Sequence, residues 1–550
     1  MIRREFLVRT LSAAVASLVA RGAFAQNAPH DMHDMSGMQD MKGMEGMGSM
    51  PGMSSHASAA THATATLAPA DALPAGRPLA ALRVLANESR EPGVFRATLV
   101  AHPVQREMLA GKPTTFWQYD AMNGGALPAA NASQGPVVGP LIDVCEGDTV
   151  EIRFINRLAQ PSTIHWHGLP VPPDQDGNPA DPVAPGATRV YRFTLPAGSA
   201  GTYWYHPHPH MMSAEQVFRG LAGPIVVRAA ADPLAAWPER HLFFSDLRLA
   251  SDGSIPPNDM MDWMNGREGQ FVLVNGARRP RIVVTNDERW RVWNGCNARY
   301  LKLSLGAASF VQVGTDGGLL EAPRDGLTEL LLAPGERAEL IVRAGAGSRQ
   351  AVLSAAVYDR RKMSMSEGDS LPADPARALA DVSFEPPEKN AQAPRALPAK
   401  LAVIAPLVAS TVRKSVVFSE KMDMSAMHRP GASAHGMPAG MTFMINGSTF
   451  DPARVTLTSR RDEVEIWSIE NRTDMDHPFH LHGTQFQIIE RQSGGVTTPE
   501  PYRAWRDTVN VQPEETVRIA TVQHMAGERM FHCHILEHED LGMMGTLRVV

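Results

Sequence analysis

Glu146-Gly147-Asp148-Thr149-Val150-Glu151-Ile152-Arg153-Phe154-Ile155-Asn156 alternates apolar and charged side chains, as a strand with one buried face does. The pattern returns as Asp287-Glu288-Arg289-Trp290-Arg291-Val292-Trp293-Asn294, and again as Asp462-Glu463-Val464-Glu465-Ile466-Trp467-Ser468-Ile469-Glu470-Asn471. Each copy is followed later in the chain by a turn and a further strand, at Pro185-Gly186, Pro334-Gly335-Glu336 and Pro513-Glu514-Glu515. Three copies predict three similar β-sandwich domains of Greek-key topology, an all-β fold. The composition agrees: 43 Pro and 45 Gly against 6% aromatics suit short strands and turns better than long helices. A chain of 550 residues is long enough for three or four separate cores. The expected boundaries lie near residues 230 and 400, the second in the Pro/Ala-rich stretch 386–406, giving domains 81–230, 231–400 and 401–550.

The N-terminus reads as a targeting segment. Arg3 and Arg4 precede Phe6 and Leu7, an apolar run from Leu11 to Ala20, and Ala23-Phe24-Ala25, an A-x-A cleavage pattern. The paired arginines point to twin-arginine export, so residues 1–25 are expected to be a signal and the mature chain to begin near Gln26 in the periplasm. The apolar run is too short to cross a bilayer, so no stable membrane insertion is expected. In residues 26–80, methionine recurs every third position at Met32, Met35, Met38, Met41, Met44, Met47, Met50 and Met53, among Gly, Ser, Asp and His. Period three is neither helical nor strand-like, and 26–80 is expected to be a disordered, Met-rich segment. A net charge of −6 excludes a nucleic-acid partner on electrostatic grounds. A monomer is expected, although the sequence does not fix the oligomeric state. Of the three cysteines, Cys145 and Cys296 read as free thiols rather than a bridge.

Ten of the 20 histidines fall into four short clusters. They are His165-Trp166-His167, His206-Pro207-His208, His477-Pro478-Phe479-His480-Leu481-His482, and His532-Cys533-His534 running on to His538 and Met543. Two clusters lie in the first repeat and two in the last, which predicts a site between those domains. On a strand, residues i and i+2 share a face, so each His-x-His pair can offer two imidazoles to one site. In His532-Cys533-His534 the thiolate then points opposite to the imidazoles, and one tripeptide can serve two sites. Cys533 with His477, His538 and Met543 matches the two imidazoles, thiolate and axial thioether of a blue copper centre. His165, His167, His206, His208, His480, His482, His532 and His534 remain for the other side, a donor set that suits copper better than hard cations or iron–sulfur clusters. Nothing has the closed four-ligand spacing of structural zinc.

These residues resemble the four copper-binding motifs of the multicopper oxidase family, and the likeness covers residues 85–550. It is nearest to the bacterial periplasmic copper-efflux oxidases, cuprous oxidases with three cupredoxin domains. Beyond the ligands it includes Trp293-Asn294-Gly295-Cys296-Asn297-Ala298-Arg299, Asp316-Gly317-Gly318-Leu319-Leu320, His482-Gly483-Thr484-Gln485-Phe486 and His538-Glu539-Asp540. The resemblance implies four copper ions: a type 1 ion on His477, Cys533, His538 and Met543, and a type 2 ion on His165 and His480. It implies two type 3 ions, one on His167, His206 and His534, the other on His208, His482 and His532. It also implies O2 as acceptor and places proton-delivering acids at Asp176 and Glu539.

The four motifs leave the electron donor open, but the methionines suggest one, because thioether sulfur selects Cu(I). A second group, Met422, Met424, Met427, Met437, Met441 and Met444, precedes the third histidine cluster. Met441 and Met444, beside Phe443 and Ile445, fit a strand core as well as a copper site. The resemblance further implies substrate copper at Met475 and a nearby acid; the family's acidic position holds Thr473 here, with Asp474 one residue later. The leading expectation is oxidation of Cu(I) in copper tolerance. Laccase-like oxidation of phenolic or other organic donors is the alternative. A copper-sequestering protein is disfavoured, since storage needs no oxygen-reducing cluster.

Overall fold

The computed structural model describes residues 65–122, 137–343, 349–365, 370–385, 396–407, 410–427 and 437–550. The expected signal at 1–25 and the methionine tract at 32–53 lie outside the described residues, as do the side chains of Met424 and Met427.

The strands build six sheets that group in three pairs along the sequence. Each copy of the alternating pattern becomes a strand in the interior of a sheet: Thr149–Asn156, Glu288–Asn294 and Val464–Asn471. All three have the same neighbours. A preceding strand lies parallel to each, namely Val94–Leu109, Glu239–Leu247 and Arg413–Met422. The strand after the predicted turn lies antiparallel on the other side, namely Thr188–Thr194, Arg337–Val342 and Thr516–Val522. The recurring strand order is that of a cupredoxin-like β-sandwich repeated three times, and the fold is all-β. Each sheet pair closes over its own core, with Trp166 and Ile152 in the first, Trp290 and Val292 in the second, and Trp467 and Phe531 in the third. Burying one such large apolar side chain contributes roughly 1.5–3 kcal/mol.

The middle copy departs from simple alternation, since every residue of Glu288–Asn294 is buried. Trp290 and Val292 face the core, whereas Arg289 and Arg291 face outward onto Glu339, 2.5 Å and 2.6 Å away. Thr202 of the first sheet pair donates to the same carboxylate at 2.7 Å. The polar face is therefore an interface between sheet pairs, and a buried, fully hydrogen-bonded ion network fixes the register of that docking.

Residues 65–80 correct one expectation, because this part of the segment taken as disordered is ordered. Leu67 bridges to Ala250 and Pro78 to Arg281, and Ala68 and Leu73 are buried in a cluster with Phe116, Leu249 and Phe271. Four apolar positions at the end of a polar, Met-rich tract are enough to fasten it to the sheets. Leu401 and Ile404, in the stretch taken as a linker, are also buried. Among the described residues no helix is long and apolar enough to cross a membrane. Cys145, Cys296 and Cys533 are all free, Cys145 exposed and the other two buried.

Candidate metal centre

The strands His165–His167 and Gly201–His206 pair antiparallel, setting His165 opposite His206. The strands His477–Leu481 and Gly527–Cys533 pair in the same way, setting His480 opposite His532 and Phe479 opposite Cys533. Alternation then sends His532 toward one side of the last strand and Cys533 toward the other. All ten clustered histidines and Cys533 are fully buried.

On the histidine side, side chains from the first and third sheet pairs converge. Ring nitrogens of His167, His206 and His534 lie within 4.8 Å of one another, and so do those of His208, His482 and His532. His165 and His480 bring their Nε2 atoms to 3.4 Å. The outer nitrogens are held by the protein. Asp176 spans two rings, its carboxylate oxygens 3.0 Å from Nδ1 of His165 and 3.0 Å from Nδ1 of His482. Backbone carbonyls hold His206, His480 and His532 through Nδ1. Such contacts fix the tautomer and turn the free nitrogen inward. Glu539 lies 3.4 Å from His208 and 3.3 Å from His532. Burial and the neighbouring Asp540 push its carboxyl well above the usual range. Asp540 also accepts from the backbone N–H groups of Ser213 and Ala214, tying the helix Leu536–Asp540 to the first sheet pair.

On the thiolate side, His477 Nδ1 stands 3.3 Å from Cys533 Sγ and 3.3 Å from His538 Nδ1. Met543 is fully buried in the same core cluster as Cys533. The Ile535 N–H donates to the sulfur at 3.3 Å, and His538 Nε2 lies 3.0 Å from the carbonyl of Met264 in the second sheet pair. Phe443 stacks on His538 at 3.9 Å.

The residues fit a set of metal ions on two counts. His167 Nδ1, His206 Nε2 and both nitrogens of His534 are buried with no hydrogen-bond partner among the described residues, and such orphans are costly unless an ion satisfies them. Burial pushes His167, His206, His208, His480, His482, His534 and His538 well below the ordinary histidine pKa, and His477 and His532 to about 3, so each of these presents a neutral lone pair. Burial pushes the Cys533 thiol upward, so a thiolate there requires a bound cation.

Two features escaped the sequence reading. The first is a buried ion pair behind the histidine side. Arg337 donates to both oxygens of Asp507 at 2.7 Å and 2.5 Å, and Asp507 Oδ1 lies 3.0 Å from His167 Nε2. Arg337 directly follows the turn Pro334-Gly335-Glu336, whose residues carried only a turn signal. The second is that Met422, Met437 and Met441, expected near the substrate, are joined in a patch over the thiolate side by methionines from outside their group. Met437 and Met441 cluster with Met264 and Trp263, and with partly buried Met211, Met260, Met261, Met363 and Met422. Met363 and Met422 also pack against the core holding Cys533 and Met543. Met260, Met261 and Met264 share the short helix Met260–Asn265, a spacing that could have been noticed.

The residues expected to hold substrate copper separate. Met422, Met437 and Met441 join the patch, whereas Met475 is fully buried in the third core. Asp474, the acid expected beside it, is exposed, and its backbone N–H donates to Glu420 Oε1 at 3.3 Å. Met475 turns inward and Asp474 outward in the bend that precedes the strand His477–Leu481. Met444 lies on the opposite face of its strand from Met441.

Known proteins resemble this chain in sequence and fold. Family models described as multicopper oxidase match residues 118–232 and 421–550. The multicopper oxidase mco of Staphylococcus haemolyticus is 33% identical over 426 residues, covering 76% of this chain and 83% of that protein. The laccase of Bacillus subtilis is 28% identical over 532 residues, covering 84% and 95%. Among solved structures, a multicopper oxidase from Campylobacter jejuni described as a metallo-oxidase superposes with a TM-score of 0.78 at 42% identity, covering 88% of this chain and 98% of that one. With this likeness over most of its length and a buried donor set suited to copper, the chain is a copper-dependent oxidoreductase and belongs to the multicopper oxidase family.

Proposed function

We propose that the chain is a cuprous oxidase of copper tolerance, coupling four Cu(I) to four Cu(II) with reduction of one O2 and four protons to two waters. The observation that carries this reading is the methionine patch over the thiolate side, since clustered thioethers select Cu(I) among available donors. Similarity to a protein described as a metallo-oxidase supports it.

In this reading His477, Cys533, His538 and Met543 hold a type 1 copper, and His165 and His480 a type 2 copper. His167, His206 and His534 hold one type 3 ion, and His208, His482 and His532 the other. Copper bound in these positions supplies one-electron redox chemistry between a reductant and O2. The backbone of His532-Cys533-His534 is the covalent bridge between the two sides. Asp176 and Glu539 are the groups able to hold and hand over protons beside the histidines. Domains 81–230, 231–400 and 401–550, and twin-arginine export to the periplasm, complete the proposal.

Oxygen uptake by the copper-loaded protein with Cu(I), and then a phenol, as sole donor is the test. Fast uptake with Cu(I), and weak phenol oxidation without added copper, is the expected result. Replacing Met422, Met437 and Met441 together by leucine, which keeps the volume and removes the sulfur, should lower Cu(I) turnover by about tenfold or more. A laccase-like oxidase of organic donors is the second reading, favoured by the likeness to the Bacillus subtilis laccase. Fast phenol oxidation with little Cu(I) turnover would establish it.

A further inference from the structure

Tyr300 and Tyr358 stack at 5.5 Å, and with Arg299, Arg360 and Arg377 they line a cavity of about 20 Å³. That is room for one small ion or one water and no more. Two hydrogen bonds carry its wall to the thiolate side. The Tyr358 hydroxyl donates to Asp476 Oδ2 at 2.5 Å, and the Asp476 N–H donates to the Arg360 carbonyl at 3.1 Å. Asp476 directly precedes His477. Most charges around the cavity are paired: Arg299 with Asp246 at 2.8 Å, Arg360 with Glu268 at 2.8 Å, and Lys362 with Asp374 at 2.7 Å. Arg377, at the start of the strand Arg377–Phe384, pairs with no carboxylate among the described residues, and its Nε is buried there without a hydrogen-bond partner. Arg360, only 3% exposed, likewise has no partner for Nη1. Burial and the Arg299 charge push the Arg377 guanidinium below its ordinary pKa. Unfilled donors on two cations are costly at such a site. A water would take the hydrogen bonds and leave the charge, whereas an anion meets both.

We infer that this cavity binds one small monovalent anion of the chloride class, held by Arg360 and Arg377, and that the ion's charge tunes the thiolate-side centre. The site is separate from the histidine and cysteine groups and from the methionine patch, since none of its lining residues belongs to either. Its volume selects a single-atom ion over sulfate or an organic acid. Arg377 is half-buried, which brings the cavity within reach of solvent. Arg360 and Tyr358 both bond to Asp476, so the ion sits one short step from His477. By linkage, an anion there binds more tightly when the centre carries the extra positive charge of its oxidised state, and in turn lowers its potential. No bond forms or breaks, and no electron passes through the site. The inference stands apart from the choice between Cu(I) and organic donors, because the centre is the same in both.

The experiment uses the full, copper-loaded chain, with chloride titrated against methanesulfonate at constant ionic strength, and with bromide located in crystals by its anomalous scattering. Bromide should appear between Arg360 and Arg377. Chloride should raise the melting temperature saturably and lower the potential of the blue centre over the same concentration range. Arg377→Gln should weaken the chloride response of both readouts about tenfold or more, as loss of a charge-assisted hydrogen bond does, with the blue colour and chloride-free turnover kept at wild-type values. Arg377→Lys, which keeps the charge, should recover part of the affinity. Water or a carboxylate of the chain in the cavity, with no bromide, would overturn the inference. So would a chloride response equal in wild type and Arg377→Gln, which would put the ion on copper instead. Bromide in the cavity without a saturable response in solution would mark an adventitious ion only, and would overturn it as well. A potential that ignores chloride while the melting temperature responds would overturn the coupling to the blue centre.

Discussion

The two faces of the strand Gly527–Cys533 are built on opposite plans. On the histidine face, eight imidazoles from two sheet pairs converge, six of them held from behind by carboxylates or carbonyls, and the middle sheet pair reaches in with Arg337. On the thiolate face, His477, Cys533, His538 and Met543 of the third sheet pair meet an apolar core, roofed by Phe443 and soft methionines. The first plan fixes many rigid donors at a closed centre suited to a small diatomic and protons. The second leaves an adaptable sulfur-lined surface beside a single centre, suited to a donor that comes and goes. In the proposed function, the rigid, enclosed face would serve the acceptor and the soft, sulfur-lined face the donor.

Four substitutions test that contrast. Cys533→Ser should abolish the blue colour and all oxygen uptake, because Cys533 supplies the thiol of the group it forms with His477 and His538; visible absorption and an oxygen electrode check it. Arg337→Met should separate the two faces. It leaves Asp507 buried and unpaired beside His167, at a cost of about 3–5 kcal/mol, and should lower the melting temperature and the copper content of the histidine face while the blue colour persists. Copper-to-protein ratio and calorimetry give the readout, and equal loss from both faces would mean the faces are not independent. Gly335→Ala should act in the same direction but less. Gly335 has φ +87°, and a Cβ there would come within 3.0 Å of the His534 ring, so a destabilisation of about 1–3 kcal/mol is expected from thermal unfolding. Met543→Leu should have the smallest effect: the blue colour stays, the potential of the thiolate-side copper rises, and turnover changes by about threefold or less. A redox titration would show the shift, and loss of copper would mean that Met543 has a larger structural role.

What the sequence could and could not disclose follows from the range of each interaction. Alternation within Thr149–Asn156 or Val464–Asn471 is a property of eight neighbouring residues, so the strands, their repetition and the His-x-His pairs were readable. The same local rule separates His532 from Cys533. Arg337 and Asp507, in contrast, meet across 170 residues, and neither stands in a histidine motif. The methionine patch joins a helix of the middle sheet pair, where Met260, Met261 and Met264 lie close in sequence, to strands of the third, and nothing local marks Met363 as a member. Residues 65–80 misled for a related reason. Their polar, low-complexity approach masked Leu67 and Leu73, whose partners are Ala250 and the cluster around Phe116.

His165 meets His480 across 315 residues, and His208 meets His532 across 324. On a ribosome, the early histidines are therefore made long before the partners that complete their coordination. A half-synthesised chain displays loose His-x-His pairs, able to catch a stray ion weakly and with the wrong geometry, but no oxygen-reducing centre. In the proposed function, that centre would be completed only in the finished fold, because its donors come from both ends of the chain.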